Sequence, residues 1–196
     1  MSYIKILPEK TAISNGVAKS ALLIAEQHSA GSHVLDYGAG RLRNTYFLLE
    51  KGFKVSILET RLQLENLYHQ DLSKLEQLYC IDDLVVDRFP VILCSFVLNV
   101  VPNPDDRSHI LKRSYELLEP NGKLYIEVRK RRGILNNKYK WEYGDGFVVG
   151  NHEVKTFQKP FERDEFIEYV SVHGFTVAHI QSTSDGWLII AKKGVN

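Results

Sequence analysis

The sequence predicts a three-layer α/β domain built on a mostly parallel sheet that carries one antiparallel strand. Three observations predict it. Short apolar or β-branched runs alternate with amphipathic segments along residues 33–128, and one run, "PVILCSF", is apolar throughout, as central parallel strands are. Near the end of the chain, two further strand-like runs are separated only by "TSDG", a turn short enough to join antiparallel strands.

The composition is that of an ordinary globular domain. The chain has 196 residues, of which 44% are hydrophobic and 25% charged, and its net charge of +1 gives no overall attraction to nucleic acid or anionic lipid. Because it has no apolar run of bilayer length and its start lacks a signal-peptide pattern, we expect a cytoplasmic protein with no membrane partner. Cys80 and Cys94 lack metal-ligand spacing, so we expect reduced thiols and no metal site.

The first half of the chain has the pattern of a helix followed by a β-α-β unit. Ser14 is a suitable N-cap for the first helix, and Gly52 ends the second. The predicted elements are a helix over 14–27, a strand over 33–37, a helix over 43–52, a strand over 54–59, a helix over 61–78 and a short strand over 79–81.

The second half continues the alternation and then interrupts it. Asn103 and Pro104 supply an N-cap and a first-turn residue for a helix that ends at "PNG", residues 120–122. The other predicted elements are strands over 90–96 and 123–128, an irregular segment over 129–160, a helix over 162–174 and a hairpin of strands 175–182 and 187–193. The single domain, 1–196, thus divides into an N-terminal helical segment (1–30), a ligand-binding core (31–128), a substrate-facing insertion (129–160) and a terminal helix with hairpin (161–196).

Residues 33–44, "HVLDYGAGRLRN", run from a buried strand into a glycine turn. In open α/β sheets, ligands bind beyond the carboxyl ends of the strands, where the strand order reverses. Gly38 and Gly40 let the backbone approach a ligand, and Glu59 follows about 20 residues after the turn, the spacing at which a carboxylate accepts hydrogen bonds from ribose. The pattern predicts an adenosine-containing cofactor; the alternative is a simple tight turn.

The details of this turn narrow the choice of cofactor. Arg43 stands where the dinucleotide fingerprint has its third glycine, which disfavours NAD and FAD, and the lack of any G-K-[ST] sequence excludes a P-loop. Asp36, just before the turn, suits a ligand with an ammonium group better than one with a pyrophosphate.

The runs "VLDYGAG", "VSILE", "PVILCSFVLNVVP" and "LLEPNGKLYIEV" together resemble the class I S-adenosylmethionine-dependent methyltransferases, over about residues 33–128. The resemblance implies a Rossmann-like fold with a seven-stranded sheet and an antiparallel terminal strand, and it implies S-adenosyl-L-methionine as the cofactor. The residues that it assigns to the cofactor are Asp36, Gly38, Ala39, Gly40, Glu59, Asp82, Asp83, Ser95 and Phe96.

The same resemblance implies a role for each part of the pattern. The glycine turn would pass beneath the methionine part, Asp36 would orient its ammonium group, directly or through water, and Glu59 would hold the ribose. Asp82 or Asp83 would lie beside the adenine amino group; the alternative is that both belong to a solvated turn.

A narrower resemblance involves "KTAIS", "VLNVV" with "PDDR", and "DGFVVGNHEVKTFQK". These segments are similar to those of methyltransferases associated with DNA phosphorothioation. That group tends to have G-C-G-R-G in the turn, where this chain has Leu42 in place of the last glycine.

The residues after the fourth strand of the predicted sheet normally line the methyl-acceptor site in the family. Here they are "SFVLN", residues 95–99, which differ from the [D/N/S]-P-P-[Y/F] motif of amino-group methyltransferases acting on nucleic-acid bases. Cys94 lacks the preceding proline of the cytosine C5 enzymes, so we interpret it as a core cysteine. No catalytic residue stands out; Asn99 and His152 are the candidates.

The segment over 129–143 combines basic and aromatic residues. Basic side chains can bind phosphates and aromatic faces can stack on bases, so Arg129, Arg131, Tyr139 and Trp141 are candidate contacts for a nucleic acid or nucleotide. The alternative is a solvated basic loop whose aromatic residues pack on the core.

Two further segments are candidate walls of the cofactor site. Lys10, Thr11 and Ser14 could cover the cofactor, and "TFQK", residues 156–159, could form the opposite wall. We therefore expect an S-adenosylmethionine-dependent methyltransferase whose acceptor is a nucleic acid or nucleotide, or else a small metabolite. The other hypotheses are a non-catalytic S-adenosylmethionine-binding subunit and, third, a nicotinamide oxidoreductase.

Overall fold

The computed structural model describes residues 5–11, 16–130, 140–150 and 154–194. Its helices are α1 (Lys19–Gln27), α2 (Arg43–Glu50), α3 (Arg61–Asn66), α4 (Pro104–Leu117) and α5 (Arg163–Ser171), and a 3-10 helix covers Pro8–Thr11. Its strands are β1 (Lys5–Ile6), β2 (His33–Tyr37), β3 (Lys54–Glu59), β4 (Gln77–Cys80), β5 (Phe89–Ser95), β6 (Leu118–Arg129), β7 (Lys140–Tyr143), β8 (Gly146–Val149), β9 (Val154–Gln158), β10 (Phe175–Ser182) and β11 (Gly186–Lys193).

The main sheet has seven strands in the order β10-β11-β6-β5-β2-β3-β4. β2, β3, β4, β5 and β6 pair in parallel, whereas β11 is antiparallel to both of its neighbours, β6 and β10. This confirms the predicted fold class and the antiparallel terminal strand. Because β2 pairs with β3 on one side and β5 on the other, the strand order reverses at the carboxyl end of β2.

Helices cover both faces of this sheet. Apolar residues of α4 and α5 pack on one face in a cluster that includes Leu111 and Phe166, and residues of α1 and α2 pack on the other, around Ile24 and Leu48. The central strand β5 is buried on both sides, which explains its continuous apolar run. No helix in the described ranges has the length and hydropathy that a bilayer span requires.

Three predicted boundaries are wrong. The first helix begins at Lys19, and Asn44 Oδ1 accepts from the backbone N–H of its N-cap residue, Ala18; Ser14 lies outside the described residues. The helix predicted over 61–78 stops at Asn66, because an Asp71 turn and pairing of 77–80 with β3 compete with it. At "PNG" the chain is already in β6, where these residues form an irregularity between two stretches of regular pairing with β5.

The segment expected to be irregular contains a second sheet instead. β9, β8 and β7 pair in antiparallel fashion, and β1 adds to β9 in parallel, giving the order β1-β9-β8-β7. The strands over 140–158 are short and mix polar with apolar residues, so the spacing of apolar residues along the sequence did not predict this sheet.

An ionic network ties the second sheet to the helices of the first. The guanidinium of Arg107 on α4 is buried; it donates to Val101 O and pairs with Asp145, in the β7–β8 turn. Lys159, just after β9, lies 3.4 Å from Asp145 and 2.6 Å from Glu165 on α5. The network therefore fixes the turn and the end of the second sheet against α4 and α5.

Candidate functional site

A cavity of about 520 Å³ opens at the carboxyl ends of β2, β3 and β5. Its walls are the glycine turn after β2, the β3–α3 junction, the segment between β5 and α4, the end of β9 and the 3-10 helix. The volume is within the usual range of ligand pockets, about 300–1,000 Å³. The cavity thus lies at the strand-order reversal, where the sequence predicts a ligand.

The glycine turn forms the floor of the cavity. Gly38 has φ 77°, and a Cβ atom at this position would lie 2.4 Å from Val97 Cγ2, so both backbone conformation and space require glycine. Gly40, at φ 60°, and Ala39 also line the cavity.

Leu42 adopts the left-handed conformation that usually favours glycine, with φ 63°. Its side chain is fully buried in a cluster with Ala39, Ile57 and Leu67, and it does not line the cavity. The leucine that departs from the narrower family pattern therefore preserves the shape of the turn and uses its side chain for core packing.

Glu59, at the end of β3, lines the cavity and holds the glycine turn. Its Oε1 accepts from Gly40 N at 2.5 Å and its Oε2 from Thr60 N at 3.1 Å. Burial raises the pKa of Glu59 to about 7, and the two backbone hydrogen bonds oppose the rise.

Asp36 lies beneath the turn rather than in the cavity. It is buried in β2, its Oδ2 accepts from Thr45 Oγ1 at 2.6 Å, and it is absent from the cavity lining. Burial raises the pKa of Asp36 to about 6. The structure therefore does not bring Asp36 to the surface that a ligand's ammonium group would touch.

Asp82 and Asp83 follow β4 and are exposed. Asp83 Oδ2 accepts from Cys80 N at 2.7 Å, and Asp82 accepts from Cys80 Sγ, contacts typical of a capped turn. Neither aspartate lines the cavity, whereas the neighbouring Ile81 does.

The N-terminal segment contributes Pro8, Glu9 and Thr11 to the cavity wall. Thr60 Oγ1 donates to Glu9 Oε1 at 2.8 Å, and Glu9 Oε2 is buried with no hydrogen-bond partner among the described residues. Of the predicted covering residues, Thr11 lines the cavity, Lys10 does not, and Ser14 is outside the described ranges. Glu9 belongs to none of the motifs recognised in the sequence.

Ser95 and Phe96 lie in the cavity wall where β5 ends. Phe96 has φ 60°, and the guanidinium groups of Arg43 and Arg129 lie 5.8 and 5.5 Å from its ring centroid. Ser95 Oγ is buried and finds no partner in the part of the chain that the structure describes. Cys94, one residue earlier, is a free buried thiol, which confirms its interpretation as a core cysteine.

Asn99 and Gln158 meet across the cavity. Asn99 is fully buried, and its Nδ2 donates to Gln158 Oε1 at 3.2 Å. Gln158 belongs to the segment over 156–159 that the sequence predicts as a wall, and it lines the cavity. Tyr37, Asp106 and His109 also line it; Tyr37 and Asp106 belong to the runs "VLDYGAG" and "PDDR", but none of the three was predicted as a site residue.

The basic and aromatic residues of 129–143 do not form one surface in the described part of the chain. Arg129 lines the cavity. Trp141 shares a sheet face with Phe157, through the pairs Trp141↔Val148 and Val148↔Phe157, and therefore points away from the face that carries Gln158. Arg131, Tyr139 and His152 lie outside the described residues. Within those described, no three His, Cys, Asp or Glu side chains cluster as metal ligands would.

Residues 12–180 match a family model described as "Methyltransferase domain". A comparison with curated protein sequences finds no match. Among solved structures, the CcbJ methyltransferase of Streptomyces caelestis is similar, with a TM-score of 0.70 at 16% identity, over 97% of this chain and 91% of that chain.

Two further solved structures contain bound ligands. The glycopeptide N-methyltransferase MtfA, complexed with S-adenosyl-L-methionine, gives a TM-score of 0.65 at 17% identity, over 93% of this chain and 90% of that chain. A 1,6-didemethyltoxoflavin-N1-methyltransferase of Burkholderia thailandensis, with 1,6-didemethyltoxoflavin and S-adenosylhomocysteine bound, gives 0.61 at 22% identity, over 96% of this chain and 79% of that chain. At these identities the similarity shows a common fold.

Proposed function

Because the chain belongs to the methyltransferase domain family, we propose that it transfers a methyl group from S-adenosylmethionine to a small-molecule acceptor within the described cavity. The observation that carries the proposal is the position of the cavity. It joins the glycine turn, Glu59 and the post-β5 segment at the reversal of strand order.

The residues of the cavity fit this cofactor. Gly38 and Gly40 allow a ligand to approach the backbone closely, and Glu59 can accept from ribose hydroxyls with its remaining lone pairs. Glu9, beside Thr60, adds a second carboxylate with one buried oxygen that has no partner in the described ranges. Two acids favour a ligand that donates hydrogen bonds and carries positive charge over one with an anionic pyrophosphate.

Bound S-adenosylmethionine supplies a methyl group on a positively charged sulfur. The chain itself has to hold the acceptor in line with that group and exclude water. Apolar residues at the post-β5 end of the cavity, which include Val97, Val100 and Pro102, would exclude water, and the buried polar groups of Ser95 and Asn99 could orient the acceptor.

A small molecule fits the acceptor end better than a nucleic acid. Arg129 contributes to the inside of the cavity and Trp141 points to the opposite face of the second sheet, so these two do not combine into a groove for a polymer. The second sheet and the 3-10 helix also close two sides of the cavity. The resemblance to the phosphorothioation-associated group keeps a nucleic-acid acceptor as the alternative, through residues 129–143.

Transfer of a tritiated methyl group tests the proposal. The protein is incubated with labelled S-adenosylmethionine and, separately, with a small-molecule extract, DNA and RNA. We expect label in the small-molecule fraction. Label only in DNA or RNA would contradict the acceptor class, and cofactor binding without transfer to any fraction would indicate a non-catalytic binding subunit.

A further inference from the structure

We propose that Asn99 and Gln158 form a recognition edge for the methyl acceptor, and that this acceptor is a neutral heterocycle whose edge presents an N–H donor beside a C=O acceptor. The inference deepens the proposed function and rests on it.

The two amides are held in a defined arrangement. Asn99 Nδ2 donates to Gln158 Oε1 at 3.2 Å, and the backbone is fixed at the same place because Lys159 N donates to Asn99 O at 2.7 Å. Asn99 Oδ1 is buried without a partner among the described residues, and none of those residues accepts from the amide nitrogen of Gln158. The pair therefore leaves one buried acceptor, Asn99 Oδ1, and one donor without partners among the described residues, at the cavity wall to which both residues contribute.

The pair keeps one free donor and one free acceptor whichever way the oxygen and nitrogen of the two side-chain amides are assigned. If both side chains are flipped, Gln158 donates to Asn99 instead, and the pair again retains one donor and one acceptor. An unsatisfied buried polar group costs about 1–3 kcal/mol, so a partner from the ligand at this position contributes substantially to binding. The matching chemistry is a donor next to an acceptor on one edge, as in a lactam.

The walls around the pair favour a flat ring. Val97, Val100, Val101 and Pro102 line the same stretch of the cavity, and Phe96 adds an aromatic ring. Apolar walls with few polar groups are typical of sites that bind flat organic molecules and orient them with a small number of hydrogen bonds.

The charges next to the pair are already compensated. Arg107 is paired with Asp145 and bonded to backbone carbonyls, and it does not line the cavity. Lys159 is paired with Glu165 at 2.6 Å and with Asp145 at 3.4 Å. Neither of these two cations is therefore free to pair with a charged group on the ligand edge, and a neutral edge needs no such partner.

Binding of defined rings tests the inference. The protein is saturated with S-adenosylhomocysteine and titrated with lumazine and 4-quinazolinone, and with 1,3-dimethyllumazine and 3-methyl-4-quinazolinone, which keep the ring and carbonyl but lack the edge N–H. We expect the N-methylated forms to bind at least about tenfold more weakly, the effect of losing one buried hydrogen bond.

Gln158→Leu and Thr156→Val serve as the test and control variants. Both change β9, but only Gln158 lines the cavity. With each variant saturated with S-adenosylhomocysteine, Gln158→Leu should lose the distinction between each ring and its methylated form, whereas Thr156→Val should keep it. The inference is overturned if neither parent ring binds, if the methylated forms bind equally well to the wild type, or if the distinction survives in Gln158→Leu. Failure of the wild type to bind S-adenosylhomocysteine would instead reject the proposed function.

Discussion

Glu59 illustrates how one side chain combines structure and ligand chemistry. It accepts from the backbone of the glycine turn and of the β3–α3 junction, and so links two walls of the cavity. Its burial raises its pKa to about 7, so the ligand-free protein holds a carboxylate whose ionisation is costly. A ligand that donates hydrogen bonds to this carboxylate offsets that cost.

Replacing this carboxylate by an amide removes one of its two acceptor oxygens, so the side chain can no longer accept from both Gly40 N and Thr60 N. We expect Glu59→Gln to weaken binding of S-adenosylhomocysteine by about 1.5–3 kcal/mol, the value of a hydrogen bond to a charged group. Isothermal titration calorimetry at pH 8 measures it. The matched control is Glu65→Gln on α3, which does not line the cavity and should bind like the wild type. Equal affinity in Glu59→Gln would remove Glu59 from the cofactor site.

The raised pKa of Glu59 also predicts a pH dependence of stability. Its value in the folded state, about 7, is higher than its ordinary value of 4.5, so its contribution is fully present below about pH 4.5 and is lost as the pH rises toward 7. Relative to the wild type, Glu59→Gln should therefore gain about 1–3 kcal/mol of unfolding free energy between pH 5 and pH 8. Urea denaturation at the two pH values measures the difference; a constant difference would contradict the raised pKa.

The left-handed backbone of Leu42 lowers the stability of the folded protein, whereas burial of its side chain raises it. Two substitutions separate these two contributions to stability. Leu42→Ala loses core packing and should destabilise the protein by about 2–5 kcal/mol. Leu42→Gly loses the same packing but relieves the left-handed strain, so it should be about 1 kcal/mol more stable than Leu42→Ala. Chemical denaturation compares them. A less stable glycine variant would show that the backbone at 42 is not strained.

At the scale of elements, the second sheet contributes Gln158 to the cavity wall, and it is held by a charged network as well as by the buried side chains of Val148 and Phe157. The buried Arg107 of α4 forms an ion pair with Asp145, which lies in the β7–β8 turn. Lys159 extends the same contact to α5. The position of Gln158 in the cavity wall therefore depends on the ionic network that Asp145 and Lys159 form with α4 and α5.

Asp145→Asn tests that dependence. It leaves the buried guanidinium of Arg107 without a full counter-charge, so we expect a loss of about 1–3 kcal/mol of stability and faster amide hydrogen exchange in β7 and β8. Asp164→Asn is the control, since its pair with Arg163 is exposed and should contribute little. Unchanged exchange in the second sheet would show that the network does not hold it.

The main sheet could be predicted from the sequence, whereas the second sheet could not. Alternation of apolar runs and helical segments dictated strands such as Phe89–Ser95, and the Asn103 cap marked the start of α4 correctly, with Asn103 Oδ1 accepting from Asp105 N. Three strands of the second sheet, β7, β8 and β9, pair with their neighbours in the chain, but they are only four or five residues long and mix polar with apolar residues. The fourth strand, β1, pairs with β9 across about 150 residues of chain, which local patterns do not encode.

The site was predictable to a similar extent. Gly38, Gly40 and Glu59 are in the cavity wall because their spacing follows the strand and turn geometry. Glu9 was missed, since the segment before the first helix is brought to the cavity by tertiary contacts, with β9 through β1 and Leu7 and with Thr60 through Glu9 itself. Asp36 was predicted to hold the ammonium group directly or through water; its side chain accepts from Thr45 on α2, and the structure does not place it in the cavity lining.

At the scale of the whole molecule, the two sheets contribute different residues to the cavity wall. The main sheet brings together the turn after β2 and the acid after β3, and the second sheet adds Gln158 opposite Asn99. The cavity that they line has a volume of about 520 Å³, which is within the usual range of ligand pockets. Binding of the cofactor is therefore the property on which every other part of the account depends.

Calorimetric titration of the wild-type protein with S-adenosylhomocysteine, with NAD as the control ligand, tests this property most directly. We predict saturable binding of S-adenosylhomocysteine at micromolar concentration and no binding of NAD, because Arg43 stands where the dinucleotide fingerprint has its third glycine. No binding of S-adenosylhomocysteine, or equal binding of NAD, would contradict it.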